Sequence, residues 1–321
     1  MLGLRSAASA GLFGLMVTGA SLVSGQDYPH KPIRIVVAAA GGGSDLTARQ
    51  IAQGIAGALG QPVIVDNRPS AFIVTDVAAK SPPDGYTLMV QGASVWITPI
   101  LQAMPHDAER DFAPITMIAR DVFVLVVHPS LPVRSVKELV ALAKTKPGEI
   151  NYGASNAGGP PHLGMELFKS IAGVNIVAIP YKGTVPAFNA VLTGEVPVTV
   201  VDTALVQPHA KSGRLRSLAV TSAEPTALAP GLPTVAASGL PGYELVGATG
   251  LWAPTKTPAS IIARINQEVV RFLNRAEVKE RFFVVQQEVV GNSPEQFAAR
   301  IKSDITKWSK LFQDTGIKKA Y

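Results

Sequence analysis

From residue 30 onward, short β-branched runs alternate with stretches whose apolar residues recur at helical spacing. Ile33-Arg34-Ile35-Val36-Val37 reads as a strand. Asp45 to Leu59 reads as a helix, with Leu46, Ile51, Ile55 and Leu59 as its repeating apolar set. Val63-Ile64-Val65 and Tyr86 to Val90 are the next strands, and Phe123–Val127, Ile176–Ile179, Val198–Val201 and Leu215–Val220 continue them. Helices are expected at His162–Ala172, Pro186–Leu192, Pro258–Asn274 and Pro294–Gln313, and Ser135-Val136-Lys137-Glu138 opens another through a capping box. Thr257-Pro258 and Ser293-Pro294 set proline just inside a hydroxyl cap. Alternation of this kind predicts an α/β fold of mostly parallel sheets flanked by helices.

A Gly- and Pro-rich region, Ala229 to Gly250, precedes the two long final helices, which are expected to pack back onto the first lobe. The chain is expected to cross to a second lobe near Phe123–Val127 and to return near Leu218–Thr221. Its start has a different character. Met1 to Arg5 carries one positive charge, Ala7 to Val23 carries none, and Val23-Ser24-Gly25 is small at the positions a signal peptidase reads. Residues 1–25 therefore read as a secretory signal, with an uncleaved anchor as the alternative. Removing them takes away Arg5 and leaves +5 of the formal +6 charge. Basic residues are scattered and aromatics sparse, which argues against a nucleic-acid face. The absence of cysteine excludes disulfides, thiolate metal sites, a cysteine nucleophile and a lipid-modified N-terminal cysteine.

Two junctions stand out, one in each half. Val36-Val37-Ala38-Ala39-Ala40-Gly41-Gly42-Gly43-Ser44-Asp45 runs from a strand through glycines into a helix, and Asn151-Tyr152-Gly153-Ala154-Ser155-Asn156-Ala157-Gly158-Gly159-Pro160-Pro161-His162 does so again. Glycine lets a ligand approach the main chain, and the first helical N–H groups lack internal partners at the positive end of the helix dipole. A carboxylate fits such a place without a basic side chain. The candidate ligand-binding residues are Ala39, Gly41, Gly42, Gly43, Ser44 and Asp45 in the first loop, and Ser155, Ala157, Gly158, Gly159 and His162 in the second. Taken singly, each loop is also a tight turn, with Ser44 or Asp45 as an N-cap. Asp45 is expected to cap, since its charge would repel an anion. The same device in both halves favours binding.

Other chemistry is thinly supported. Gly153-Ala154-Ser155-Asn156-Ala157 misses the G-x-S-x-G elbow at Ala157, and only His209 follows His162, whereas an elbow's histidine comes late. A serine hydrolase using Ser155 stays as the alternative. Phosphate-loop and dinucleotide fingerprints are absent, and the five histidines lack metal-ligand spacing, so no cofactor or metal is expected. His162 is either a ligand donor or a structural residue. Asp202, at a strand's C-terminal edge, accepts from a ligand or caps a helix. Trp96 and Trp252 are expected in the core or at a lobe contact, with a cleft-lining role as the alternative.

Taken together, these motifs resemble the extracytoplasmic solute receptors of tripartite tricarboxylate transporters, the Bug family. The resemblance runs from Tyr28-Pro29-His30-Lys31-Pro32-Ile33-Arg34 through Gly41-Gly42-Gly43-Ser44-Asp45, Ala48-Arg49, Asn67-Arg68-Pro69 and Pro83-Asp84-Gly85-Tyr86-Thr87-Leu88. It resumes at Asn151-Tyr152-Gly153, His162-Leu163, Glu166-Leu167-Phe168 and Pro180-Tyr181-Lys182-Gly183, and ends at Leu218-Ala219-Val220-Thr221-Ser222 and Leu232-Pro233-Thr234-Val235. It implies a two-lobed periplasmic-binding-protein type II fold, with lobe 1 from residues 26–125 and 222–321 and lobe 2 from 126–221. It further implies a monomeric periplasmic receptor without enzyme activity, holding a small carboxylate through the loops at 38–45 and 154–162. Such a receptor delivers its load to a permease of large and small membrane subunits; a sensor presenting solute to a membrane kinase is the alternative. Two departures fall on the cleft. Ala38, Ala39 and Gly41 replace the Pro, Phe and second Pro of the family's Pro-Phe-x-Pro-Gly-Gly. Ser70-Ala71-Phe72-Ile73 stands in place of a longer Gly-Ala-Gly-Gly segment, with Phe72 as a candidate substitute for the missing aromatic.

Overall fold

Side-chain alternation decides the first half of the sheet. In β1 (Ile33–Val37), Ile33, Ile35 and Val37 bury on one face and Val36 on the other, so both faces must be covered. The computed structural model describes residues 28–38, 40–155 and 158–315. The signal read at 1–25 lies outside them, as do Ala39 and Ala157. β1 lies between β2 (Val63–Asn67) and β3 (Thr87–Gly92), parallel to both. α1 (Gly43–Leu59) covers the first face with Ala48, Ile51, Ile55 and Leu59. α2 (Ala71–Ala79) and α3 (Ser94–Leu101) cover the second with Val74, Val95 and Trp96. Leu46, expected on the buried face of α1, is 48% exposed, and Ala48 takes its place.

The second half repeats the arrangement. β5 (Asn151–Ala154) lies between β6 (Val177–Pro180) and β7 (Val198–Asp202), parallel to both. α4 (Val136–Thr145) begins at the predicted cap, where Ser135 Oγ accepts from the Glu138 N–H at 3.2 Å. α5 (Pro160–Ala172), α6 (Thr184–Leu192), α7 (Thr203–Lys211) and β8 (Arg216–Val220) complete it.

Antiparallel strands join the halves, an addition that the strand–helix alternation did not signal. β4 (Phe112–Val127) pairs with β9 (Val246–Pro254) as far as Val122, then from Phe123 with β7, and from Val124 with β8. β9 also pairs with β3, giving the order β2-β1-β3-β9-β4-β7-β5-β6. At the change of partners Thr221, fully buried, staples the two crossing segments. Its Oγ1 accepts from the Phe123 N–H at 3.1 Å and donates to the Phe123 carbonyl at 3.0 Å, and its own carbonyl accepts from Leu245.

α8 (Ala259–Leu273) and α9 (Ala276–Val284) are followed by β10 (Gln287–Val289), which pairs with β4. α8 packs on α1 as expected; α10 (Pro294–Thr315) packs on α3 and β4 but also on α5, so it spans both halves. Ser293 caps α10, accepting from the Gln296 N–H at 3.2 Å. Thr257 does not cap α8: Pro258 holds that position, and the Thr257 hydroxyl donates to Pro254 at 2.7 Å. Trp96 and Trp252 are core residues, with ring centroids 5.7 Å apart, and Phe297 packs tilted against Trp252 at 4.8 Å. Gly250 makes room for the Phe297 ring, which occupies the position its Cβ would take.

Candidate functional site

The two strand-to-helix loops share one backbone geometry. Gly41 and Gly158 have φ of +83° and +84°, a left-handed conformation that favours glycine. The next residues, Gly42 and Gly159, are the helix N-caps, with φ, ψ of −81°, 167° and −77°, 160°. Three residues on, a side chain turns back in each loop. Asp45 Oδ2 accepts the Gly41 N–H at 2.9 Å, and His162 Nδ1 accepts the Gly158 N–H at 3.3 Å. This is the return arm of a capping box, reaching one residue beyond the cap.

Asp45 holds more than one amide. Its other oxygen accepts from Asn67 Nδ2 at 2.8 Å, and Asn67 also donates to the Ala38 carbonyl at 2.9 Å. Arg49, one turn along α1, donates to Asp45 at 3.1 Å and to Asn67 at 2.9 Å. Asp45 is 3% exposed. Burial pushes its carboxyl up, but the Asn67, Gly41 and Arg49 donors outweigh that and hold it below the usual carboxylate range. The residue expected to cap therefore sits at the third helical position, Gly42 is the cap, and Ser44 is not. The carboxylate is spent inside the loop.

The loops differ in what they offer. At the start of α1, Gly43, Ser44 and Asp45 carry amides beyond the reach of the helix ladder, which begins with Leu46 N–H to Gly42. In α5 the first two positions are Pro160 and Pro161, which have no N–H, so this helix start offers fewer free amides than the first. His162 makes up part of the difference. With Nδ1 accepting, the neutral ring carries its proton on Nε2 as a donor, and burial pushes its pKa down, which favours that neutral form.

Ser155, 6% exposed, follows the C-terminal end of β5, and Asp202 ends the adjacent β7. Asp202 occupies the N-cap position of α7, yet its side chain makes no cap bond. Burial and the neighbouring Asp121 carboxylate push its pKa up. The second loop also meets the first half: a Cβ on Gly158 would lie 2.7 Å from Leu101 Cδ1, at the end of α3. Asn67 and Arg49 were not among the sequence candidates, although Arg49 stands four residues after Asp45, the spacing of a helical ion pair. Among the described residues, no group of three or more His, Asp or Glu is placed to hold a metal ion.

Comparison with known proteins gives a consistent result. The profile of the family described as "Tripartite tricarboxylate transporter family receptor" matches residues 47–317. Protein BugT of Bordetella pertussis is 34% identical over 320 residues, 98% of each chain. The structure of R. palustris Rpa4515 with adipate has 34% identity and a TM-score of 0.73, covering 90% of this chain and 99% of that one. A TctC solute-binding protein from Polaromonas, solved with no ligand, has 25% identity and a TM-score of 0.82, covering 89% and 99%.

Proposed function

The chain belongs to the tripartite tricarboxylate transporter receptor family, and we propose that it captures a small carboxylate between its lobes and performs no chemistry on it. Receptors of this family are periplasmic, and no helix among the described residues is long and apolar enough to cross a membrane. In this reading, residues 1–25 are removed on export and the receptor works as a monomer. Lobe 1 comprises 26–125 and 222–321, and lobe 2 comprises 126–221. The loaded receptor hands its solute to the membrane subunits of its transporter.

The observation that carries the reading is the pair of loops with matching glycine geometry, each braced by a side chain from its own helix. Bracing before a ligand arrives reduces the ordering cost of binding. Loop 1 contributes the amides of Gly43 and Ser44, and loop 2 contributes the Gly159 amide and His162 Nε2–H. Ser155 then forms loop wall, and Asp202 stands beyond the carboxylate, where it meets the rest of the ligand. Adipate in the R. palustris relative is a carboxylate of this kind.

The test is a thermal-shift series with the purified protein, comparing carboxylic acids with their amides. Acids should raise the melting temperature and amides should not. Gly42→Val and Gly159→Val suit the extended backbone at those caps and should abolish the shift without unfolding the protein. Normal binding by both variants would show the loops to be misassigned.

A further inference from the structure

We infer that the groove between α2 and α3 receives the far end of the bound acid, and that this end is an aromatic ring. The inference rests on the carboxylate reading above and names the ligand class. A cavity of about 180 Å³ opens there, lined by Phe72, Gln91, Thr98, Gln102, His106 and Phe112. An apolar protein cavity of roughly 150 Å³ accommodates benzene, so the space suits one ring.

Three of the wall residues carry rings, Phe72, His106 and Phe112, beside polar Thr and Gln side chains. His106 stands between Phe72 and Phe112, with centroid distances of 6.3 Å to each and interplanar angles of 45° and 64°. An incoming ring would find edges and faces at the offsets that aromatic pairs favour. Phe72 is 50% exposed at the start of α2, where nothing described in the chain covers it. An isolated exposed phenylalanine needs no explanation, but this one borders a cavity. His106 adds a polar group to the wall: its side chain is nine-tenths buried, and Nε2 has no hydrogen-bond partner, the nearest carboxylate being Asp76 Oδ1 at 3.6 Å.

Both walls lead to the carboxylate loops. α2 starts four residues after Asn67, which ties β2 to loop 1, and α3 ends at Leu101, against Gly158 of loop 2. An acid held by the loops thus has the groove within reach of its other end. Burying the exposed half of Phe72 corresponds to roughly a tenfold gain in affinity.

Isothermal titration of the purified protein with phenylacetate, 3-phenylpropanoate, hexanoate and adipate tests this. The aryl acids should bind about tenfold tighter than hexanoate. Phe72→Ala should remove that advantage, weakening the aryl acids about tenfold more than hexanoate. Thr98→Leu, which fills the cavity from the α3 side, should do the same and decides the matter if the first variant is poorly folded. Aryl acids binding no tighter than hexanoate, or an aryl advantage that survives both variants, would overturn the ring subsite and leave the carboxylate reading standing. Failure of all four acids to bind would bring down both.

Discussion

Asp45→Ala probes the brace of the first loop. The substitution removes the acceptor of the Gly41 N–H at 2.9 Å and of Asn67 Nδ2 at 2.8 Å, both inside the turn. It also removes the Arg49 contact at 3.1 Å, whose cation side is half exposed. Hydrogen bonds to a charged group contribute about 1.5–3 kcal/mol each, and an exposed ion pair about 0–1 kcal/mol. Because Asn67 keeps its bond to Ala38 and the terms share one group, the total should be about 3–4 kcal/mol rather than their sum. That is a fall of roughly 5–10 °C in melting temperature. Asp45→Asn keeps an acceptor for Gly41 but loses the charge, and should cost about half as much. The effect should depend on pH. A carboxyl whose folded pKa is lowered contributes stability that is present above its unfolded value, about 3.9, and lost as pH falls through the folded one. Wild type and Asp45→Ala should therefore differ fully at pH 7 and converge as pH falls below the unfolded value and through the folded one. Melting curves across that range, with acid titrations at pH 7, test the argument. An unchanged melting temperature together with unchanged acid binding in Asp45→Ala would refute it.

Three further outcomes follow from the same geometry. His162 has its folded pKa lowered by burial, so the stability it lends is present above about pH 6.5 and lost as pH falls through the folded value; His162→Gln should flatten this slope in melting curves from pH 8 to 5. Thr221→Val leaves the buried Phe123 N–H without its acceptor and should cost about 1–3 kcal/mol in chemical denaturation, most of it recovered by Thr221→Ser. Gly158→Ala should cost about 1–2 kcal/mol from its positive φ, plus a clash with Leu101 that Leu101→Ala relieves, so a double-mutant cycle should show coupling.

The sequence was most legible where one physical rule acts alone. β1, α1, β7 and α10 follow apolar periodicity, and the Ser135 and Ser293 caps follow hydroxyl chemistry. It was least legible where packing overrides composition. β9 begins inside the Gly- and Pro-rich region and shares Gly247 and Gly250 with it. Those glycines are there because Asp121 and Phe297 fill the space their side chains would need. The first ten residues of β4 contain Pro114, Arg120 and Asp121, which masked a strand paired on both sides. α2 was read only as a departure from the family's glycine segment, and its Phe72 gained meaning from the cavity beside it. At the loops, the glycines could be read from sequence but the braces could not, since Asn67 comes to Asp45 from 22 residues away.

β4 belongs to both halves without a break, and α10 rests on both. Neither half can lose its order while the other keeps a complete sheet, because the strand that would be torn from one ladder is the continuation of a strand in the other. Heating should therefore melt the whole molecule in a single calorimetric step, with matching calorimetric and van't Hoff enthalpies. The hand-shaped motion needed for capture would then be a flexing of one cooperative body, not the loosening of two.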